Sequence, residues 1–195
     1  MTTEESKTTL DDLKLGFLSH KRMEENEDVY QGAILITDGG CKPLEFRCTS
    51  PVRPNAVQKT LYGRTLVPHI ATDLMALPLL KAIQEKPDIV LINDTVFLEI
   101  RPKADVPILH LRRQGEAIQF EDSREREDTR ESVLVESASG RFQPIVMIPH
   151  WNYPDDLNEH RAKIREAFAY ADLLEPFNRV YVALDEVYKQ DPIGS

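Results

Sequence analysis

Hydrophobic and polar positions alternate along this chain in short blocks, and the blocks predict a sheet with helices packed on it. Leu13, Leu15 and Phe17 recur at period two within Leu10–Arg22, the spacing of a short strand. Ala33–Ile36 is continuously apolar, as in a strand covered on both faces. Leu44, Phe46 and Cys48 then alternate with Glu45, Arg47 and Thr49. Between the two runs, Asp38-Gly39-Gly40 supplies residues able to take the positive φ of a tight turn. Gln31–Val52 therefore reads as a β-hairpin at the centre of the fold.

Helical spacing follows. Asn55 is placed to cap a short helix over AVQKTLY, with Gly63 at its stop. From about His69 to Glu85, the residues Ile70, Leu74, Leu77, Leu80 and Ile83 form a helical stripe, and Pro78 inside it should kink or split the helix. Three apolar runs come next, Asp88–Asn93, Val96–Arg101 and Val106–Leu111, joined by turn residues; they predict an antiparallel meander. Val133–Glu136 and Phe142–Pro149 predict two more strands about a Ser139-Gly140 turn. After the bend His150–Pro154, Asp156 and Glu159 have the spacing of a helix cap, and Leu157, Ile164, Phe168, Ala171 and Leu174 make one stripe. Pro176 suits the first turn of a second helix carrying Phe177, Val180, Tyr181, Leu184 and Tyr188. The predicted class is α+β: a mostly antiparallel central sheet (hairpin, helical crossover, three-strand meander) with packed helices and a helical C-terminal appendage.

Composition changes this picture little. The 195 residues are 41% hydrophobic and 29% charged, enough for one good-sized domain or one domain with an appendage. Residues 1–9 are polar and unpatterned and predict a disordered tail. Residues 10–112 form the α/β core, 113–132 a charged loop or linker, and 133–195 a C-terminal strand pair and helices packed on the same core. No apolar run reaches the roughly 18 residues of a membrane-spanning helix. The polar, acidic start does not have the pattern of a signal peptide, so the cytoplasm is the expected compartment and no membrane partner is assigned. A formal charge of −9 argues against direct binding of the nucleic-acid backbone, which takes clustered Lys and Arg, though not against a local basic patch.

Candidate chemistry is sparse. No glycine-rich phosphate loop, GxSxG or HExxH occurs. Cys41 and Cys48 are expected as free thiols and, with no CxxC, close no zinc site. The five histidines, His20, His69, His110, His150 and His160, are scattered, and no metal, cofactor or catalytic residue is assigned from them. The aromatic residues stand out instead: Trp151 and Tyr153 in the bend, then Phe168, Phe177, Tyr181 and Tyr188 along the C-terminal helices. Such a stripe must bury itself against the sheet or another chain, and these six are the candidate partner-binding residues.

Two resemblances bear on function. The run GAILITDGGCKPLEF, a helical section, and DIVLIND-TVFLEIRP-KADVPILHLRR together resemble roadblock/longin-type domains over about residues 31–113. That resemblance implies a homodimer and a non-enzymatic accessory subunit or adaptor acting through protein–protein contact, a scaffold or regulator of a larger ATPase- or GTPase-type partner. This is the expected function. Separately, Pro87-Asp88 followed by Glu99-Ile100-Arg101 is similar to the PD…(D/E)xK arrangement of restriction-endonuclease-like nucleases. It implies the alternative, a Mg²⁺-dependent nuclease using Asp88, Glu99 and Arg101, although Arg101 stands where that arrangement has lysine and arginine cannot act as a base.

Overall fold

The computed structural model describes residues 10–23, 28–116 and 132–191. The predicted tail at 1–9 and most of the predicted charged loop lie outside the described residues. One seven-stranded sheet contains β1 (Lys14–Arg22), β2 (Tyr30–Asp38), β3 (Pro43–Cys48), β4 (Ile89–Ile92), β5 (Ile108–Arg113), β6 (Val133–Val135) and β7 (Ile145–Pro149), in the order β3-β2-β1-β4-β5-β7-β6. It is mostly antiparallel: β2 opposes β1 and β3, and β7 opposes β5 and β6, while β4 lies parallel to both β1 and β5. The α-helices are α1 (Ala56–Tyr62), α2 (Leu66–His69), α3 (Leu77–Ala82), α4 (Asp155–Tyr170) and α5 (Glu175–Gln190).

Strand alternation sorts the interior into two layers. Leu15 and Phe17 of β1, Leu91 of β4 and Leu109 of β5 face α4 and α5, and pack with Leu157, Ile164, Phe168, Phe177, Val180 and Leu184. Leu18, Val90, Ile92 and Ile108 face the other way, onto Ala76, Leu79, Phe97 and Ile100. The Phe177 ring meets Phe17 edge-on at 5.4 Å, which fixes α5 across β1.

The mixed α/β class matches the expectation, and several details inside it are corrected. The meander does not form. Val96–Arg101 belongs to a 3₁₀ segment, Thr95–Lys103, started by the Asp94 carboxylate accepting from Val96 N–H. Its alternating pattern also places Phe97 and Ile100 three apart, the repeat of a 3₁₀ helix, and both are buried. The segment is thus a crossover that brings β5 in parallel to β4. In the hairpin, the left-handed residue is Cys41 (φ 66°). Gly39 answers to space: a Cβ there would stand 2.7 Å from the Leu10 carbonyl oxygen.

The helical run is divided, with Pro78 in the first turn of α3. Between α2 and α3 the backbone widens into a π segment, Ile70–Ala76, in which Leu77 N–H reaches the Thr72 carbonyl. The extra residue rotates the buried stripe to Ile70, Ala71, Met75, Ala76, Leu79 and Ile83, and leaves Leu74 exposed. Asn55 caps α1 as predicted, in a reciprocal box with Gln58. Asp156 does not cap α4; its carboxylate turns to Arg101.

Candidate functional site

The order of strands creates a reversal between β1 and β4. The chain leaves β1 toward β2 on one side and leaves β4 toward β5 on the other. Connections diverging from adjacent parallel strands open a crevice over their carboxyl ends, the usual place for a ligand in such sheets. Polar residues gather there at the ends of two apolar runs, LGFLSHK and IVLIND. Alternation along β1 turns Ser19 and Lys21 toward α5 and His20 toward the opposite layer.

Three neutral side chains interlock on the α5 side. Ser19 Oγ donates to Asn93 Oδ1 at 2.9 Å, Asn93 Nδ2 donates to Tyr181 OH at 2.8 Å, and Ser19 Oγ lies 3.1 Å from Tyr181 OH. Ser19 is fully buried, whereas Asn93 and Tyr181 are half-buried. Asn93 and Tyr181, which keep partial exposure, are the members of the trio that a ligand can reach, and the amide carries both a donor and an acceptor. Beside this trio, Lys21 Nζ holds both oxygens of Asp185, at 2.6 and 2.7 Å.

On the other side His20 Nε2 lies 3.0 Å from Asp94 Oδ2, and its ring stands edge-on to Phe97 at 5.2 Å. Burial works to raise the Asp94 carboxyl. The hydrogen bonds from His20 and Val96 N–H, with the charges of His20 and His110, outweigh it and hold the carboxyl below its ordinary value. Both carboxylates remain partly open, with Asp94 44% and Asp185 38% exposed.

The residues of the nuclease alternative do not converge. Asp88 precedes β4 at its amino end, where its carboxylate accepts from Lys14 N–H at 2.8 Å. Glu99 is exposed on the 3₁₀ crossover that follows β4. Arg101 is committed to Asp156. This set does not fit the Mg²⁺ that the arrangement implies, and among the described residues no group of three His, Cys, Asp or Glu is placed to hold a metal ion.

The predicted docking stripe is also corrected. Phe168, Phe177 and Tyr188 are buried, the first two in the main core and Tyr188 against Met23 and Val29, so they present no surface. Tyr181 belongs to the polar trio. Trp151 is exposed and stacks on His150 at 3.8 Å, and Tyr153 covers the Arg101 guanidinium at 4.3 Å. Ser19, His20, Lys21, Asn93, Asp94 and Asp185 went unmarked as a group in the sequence. Their one signal was polar residues closing apolar strands.

No known protein family and no curated protein matches the chain. Among solved structures, the catalytic domain of human endonuclease V is similar over 91% of this chain and 83% of its own, at 12% identity and a TM-score of 0.51. Endonuclease V of Ciona intestinalis, in complex with a 24mer DNA containing an inosine followed by a ribo-adenosine, is similar over 70% and 71%, at 12% identity and a TM-score of 0.42. Aa-Ago with externally bound siRNA aligns with 83% of this chain and 25% of its own, at 10% identity and a TM-score of 0.44. The likeness to the human domain shows the fold, that of a nuclease catalytic domain. It overturns the expected roadblock-like scaffold and adaptor. The expectation against nucleic acid falls with it: a net charge sums over the whole chain and does not describe one crevice or groove.

Proposed function

We propose that this protein acts on nucleic acid, engaging it in the crevice over the carboxyl ends of β1 and β4. The observation that carries the reading is the Ser19–Asn93–Tyr181 trio, flanked by His20–Asp94 and Lys21–Asp185, at the reversal point of a fold shared with an endonuclease catalytic domain. An amide offers a donor and an acceptor to a base edge, and hydroxyls address sugar or phosphate oxygens. Phosphodiester cleavage is the reaction class this likeness suggests. The carboxylates of the crevice are then Asp94 and Asp185, in place of Asp88 and Glu99. As folded, each is paired with a basic side chain from consecutive residues of β1, His20 and Lys21, which face opposite layers. The geometry therefore supports recognition by hydrogen bonding first.

The test uses the purified full chain with labelled single- and double-stranded DNA and RNA at low salt, followed by incubation with Mg²⁺. Saturable binding to at least one of the four is expected. The double variant Asn93→Ala/Tyr181→Phe should weaken it about tenfold, as loss of one or two hydrogen bonds implies. Asp88→Ala should leave binding unchanged. Any Mg²⁺-dependent cleavage should disappear in Asp94→Asn and persist in Asp88→Ala. Absence of binding to all four would refute the proposal.

A further inference from the structure

A groove on the outer face of α4 has the chemistry of a nucleic-acid contact separate from the crevice. Helix α4 turns Leu157, Ile164, Ala167 and Phe168 inward. Its outer face carries Asn158, Arg161, Arg165, Glu166 and Tyr170, which with Ala138 of the β6–β7 connection line a groove of about 560 Å³. The opposing wall is fixed to the helix: Ser137 Oγ donates to the Phe168 carbonyl at 3.1 Å, and Arg141 Nη2 to the Ala169 carbonyl at 3.5 Å.

Three properties of the groove point the same way. Arg161 and Arg165 stand one helical turn apart, both exposed, and neither is in an ion pair among the described residues. Among the described residues that line the groove, the two arginines face one carboxylate, Glu166, in a chain whose formal charge is −9. Tyr170, at the end of the row, is 49% exposed. Guanidinium groups spaced along a groove bind successive phosphates bidentately, and an accessible aromatic face stacks on an unpaired base. A duplex hides its base faces, so the pairing of arginines with an open tyrosine selects a single strand.

We infer that this groove holds the backbone of single-stranded nucleic acid, with Arg161 and Arg165 on phosphates and Tyr170 under a base. The inference rests on the proposed function above and adds the strand type and a second contact. It is tested by anisotropy titrations of the full chain with fluorescein-labelled oligothymidylate over a series of salt concentrations. Arg161→Gln/Arg165→Gln should reduce the slope of log K against log salt by about 1.4, two phosphate contacts on a single strand. Tyr170→Ala should weaken binding about tenfold, while Tyr170→Phe keeps it. All these side chains are exposed, so urea midpoints should match the unaltered chain; Lys81→Gln, on the opposite side of the sheet, is the control for general charge. If the unaltered chain binds and the arginine variant keeps its slope, the groove inference fails and the crevice proposal stands. If polyglutamate competes as well as the oligonucleotide, the groove takes acidic peptide and the inference fails. If the unaltered chain binds no nucleic acid at any salt, both fail.

Discussion

Arg101→Met should destabilise the protein far more than it alters any activity. Arg101 Nε and Nη2 donate to Asp156 Oδ2 and Oδ1 at 2.6 and 2.9 Å, and Nη1 donates to the Ala104 carbonyl at 2.9 Å. The side chains are only 15% and 8% exposed, and Tyr153 lies over the guanidinium. The pair ties the 3₁₀ crossover after β4 to the first turn of α4. Removing one partner of a buried, bidentate pair leaves the other charge uncompensated, at a cost of about 3–5 kcal/mol. Ile108 N–H, 3.4 Å from Asp156 Oδ2, gives the stranded carboxylate one weak donor, which favours the lower end of that range. Removing both charges together, in Arg101→Met/Asp156→Leu, should recover most of the loss, ending within roughly 1.5 kcal/mol of the unaltered chain. Urea unfolding followed by Trp151 fluorescence reads this directly, since Trp151 is the one tryptophan and packs on His150, whose ring meets Tyr153. A single-variant loss below about 1 kcal/mol would mean that the pair behaves as a solvated surface bridge, and the reasoning would be wrong. A double variant losing the sum of both singles would be equally damaging. Intact stability with abolished cleavage would return Arg101 to the catalytic role its sequence context suggested.

Other expectations follow from single contacts. Because the Asp94 carboxyl is held below its ordinary value, its contribution to stability is complete above the unfolded carboxylate range and is lost as pH falls through the lowered folded value; Asp94→Asn should flatten the acid limb of Tm against pH below about 4, and an unchanged limb would refute this. Burial pushes the Cys41 thiol up to about 12, so Cys41 should resist Ellman's reagent in the folded protein while half-buried Cys48, also raised by burial, reacts slowly; two equally fast thiols would contradict the packing. Gly39→Ala places a Cβ 2.7 Å from the Leu10 carbonyl oxygen and should cost about 1–3 kcal/mol in urea unfolding, whereas Gly40→Ala, nearest to Asp38 Oδ1 at 3.4 Å, should cost less.

What the sequence disclosed was local. The continuous apolar run in β2, the alternation in β1 and the Asn55 cap each answer to neighbours a few residues away, and they appear where periodicity places them. Pairing partners were not legible: IVLI and ILHL read the same in a parallel or an antiparallel sheet, and the crossover between them decides. That crossover imitates a strand because Val96, Leu98 and Ile100 alternate while Phe97 and Ile100 also satisfy a three-residue repeat. Aromatic residues on the C-terminal helices were visible as a stripe, but a stripe does not say what covers it; here the sheet covers most of it. The crevice was hidden for a further reason. Ser19, Asn93 and Tyr181 come from distant parts of the chain, none is charged, and only the reversal between β1 and β4 brings them together.

The widened turn before Pro78 also links two kinds of sequence change. The helical run carries one residue more than an α-helix of the same span would hold, so Ile70–Ala76 behaves as an accommodated insertion. Deleting one residue there would restore α register and shift the phase of everything before it relative to Met75, which packs under Gly32. The proline ring would then oppose the carbonyl four residues back, the contact that breaks α-helices. A shortened run is therefore compatible with the fold only if Pro78 is replaced as well. Relatives of this chain should keep both features or lose both.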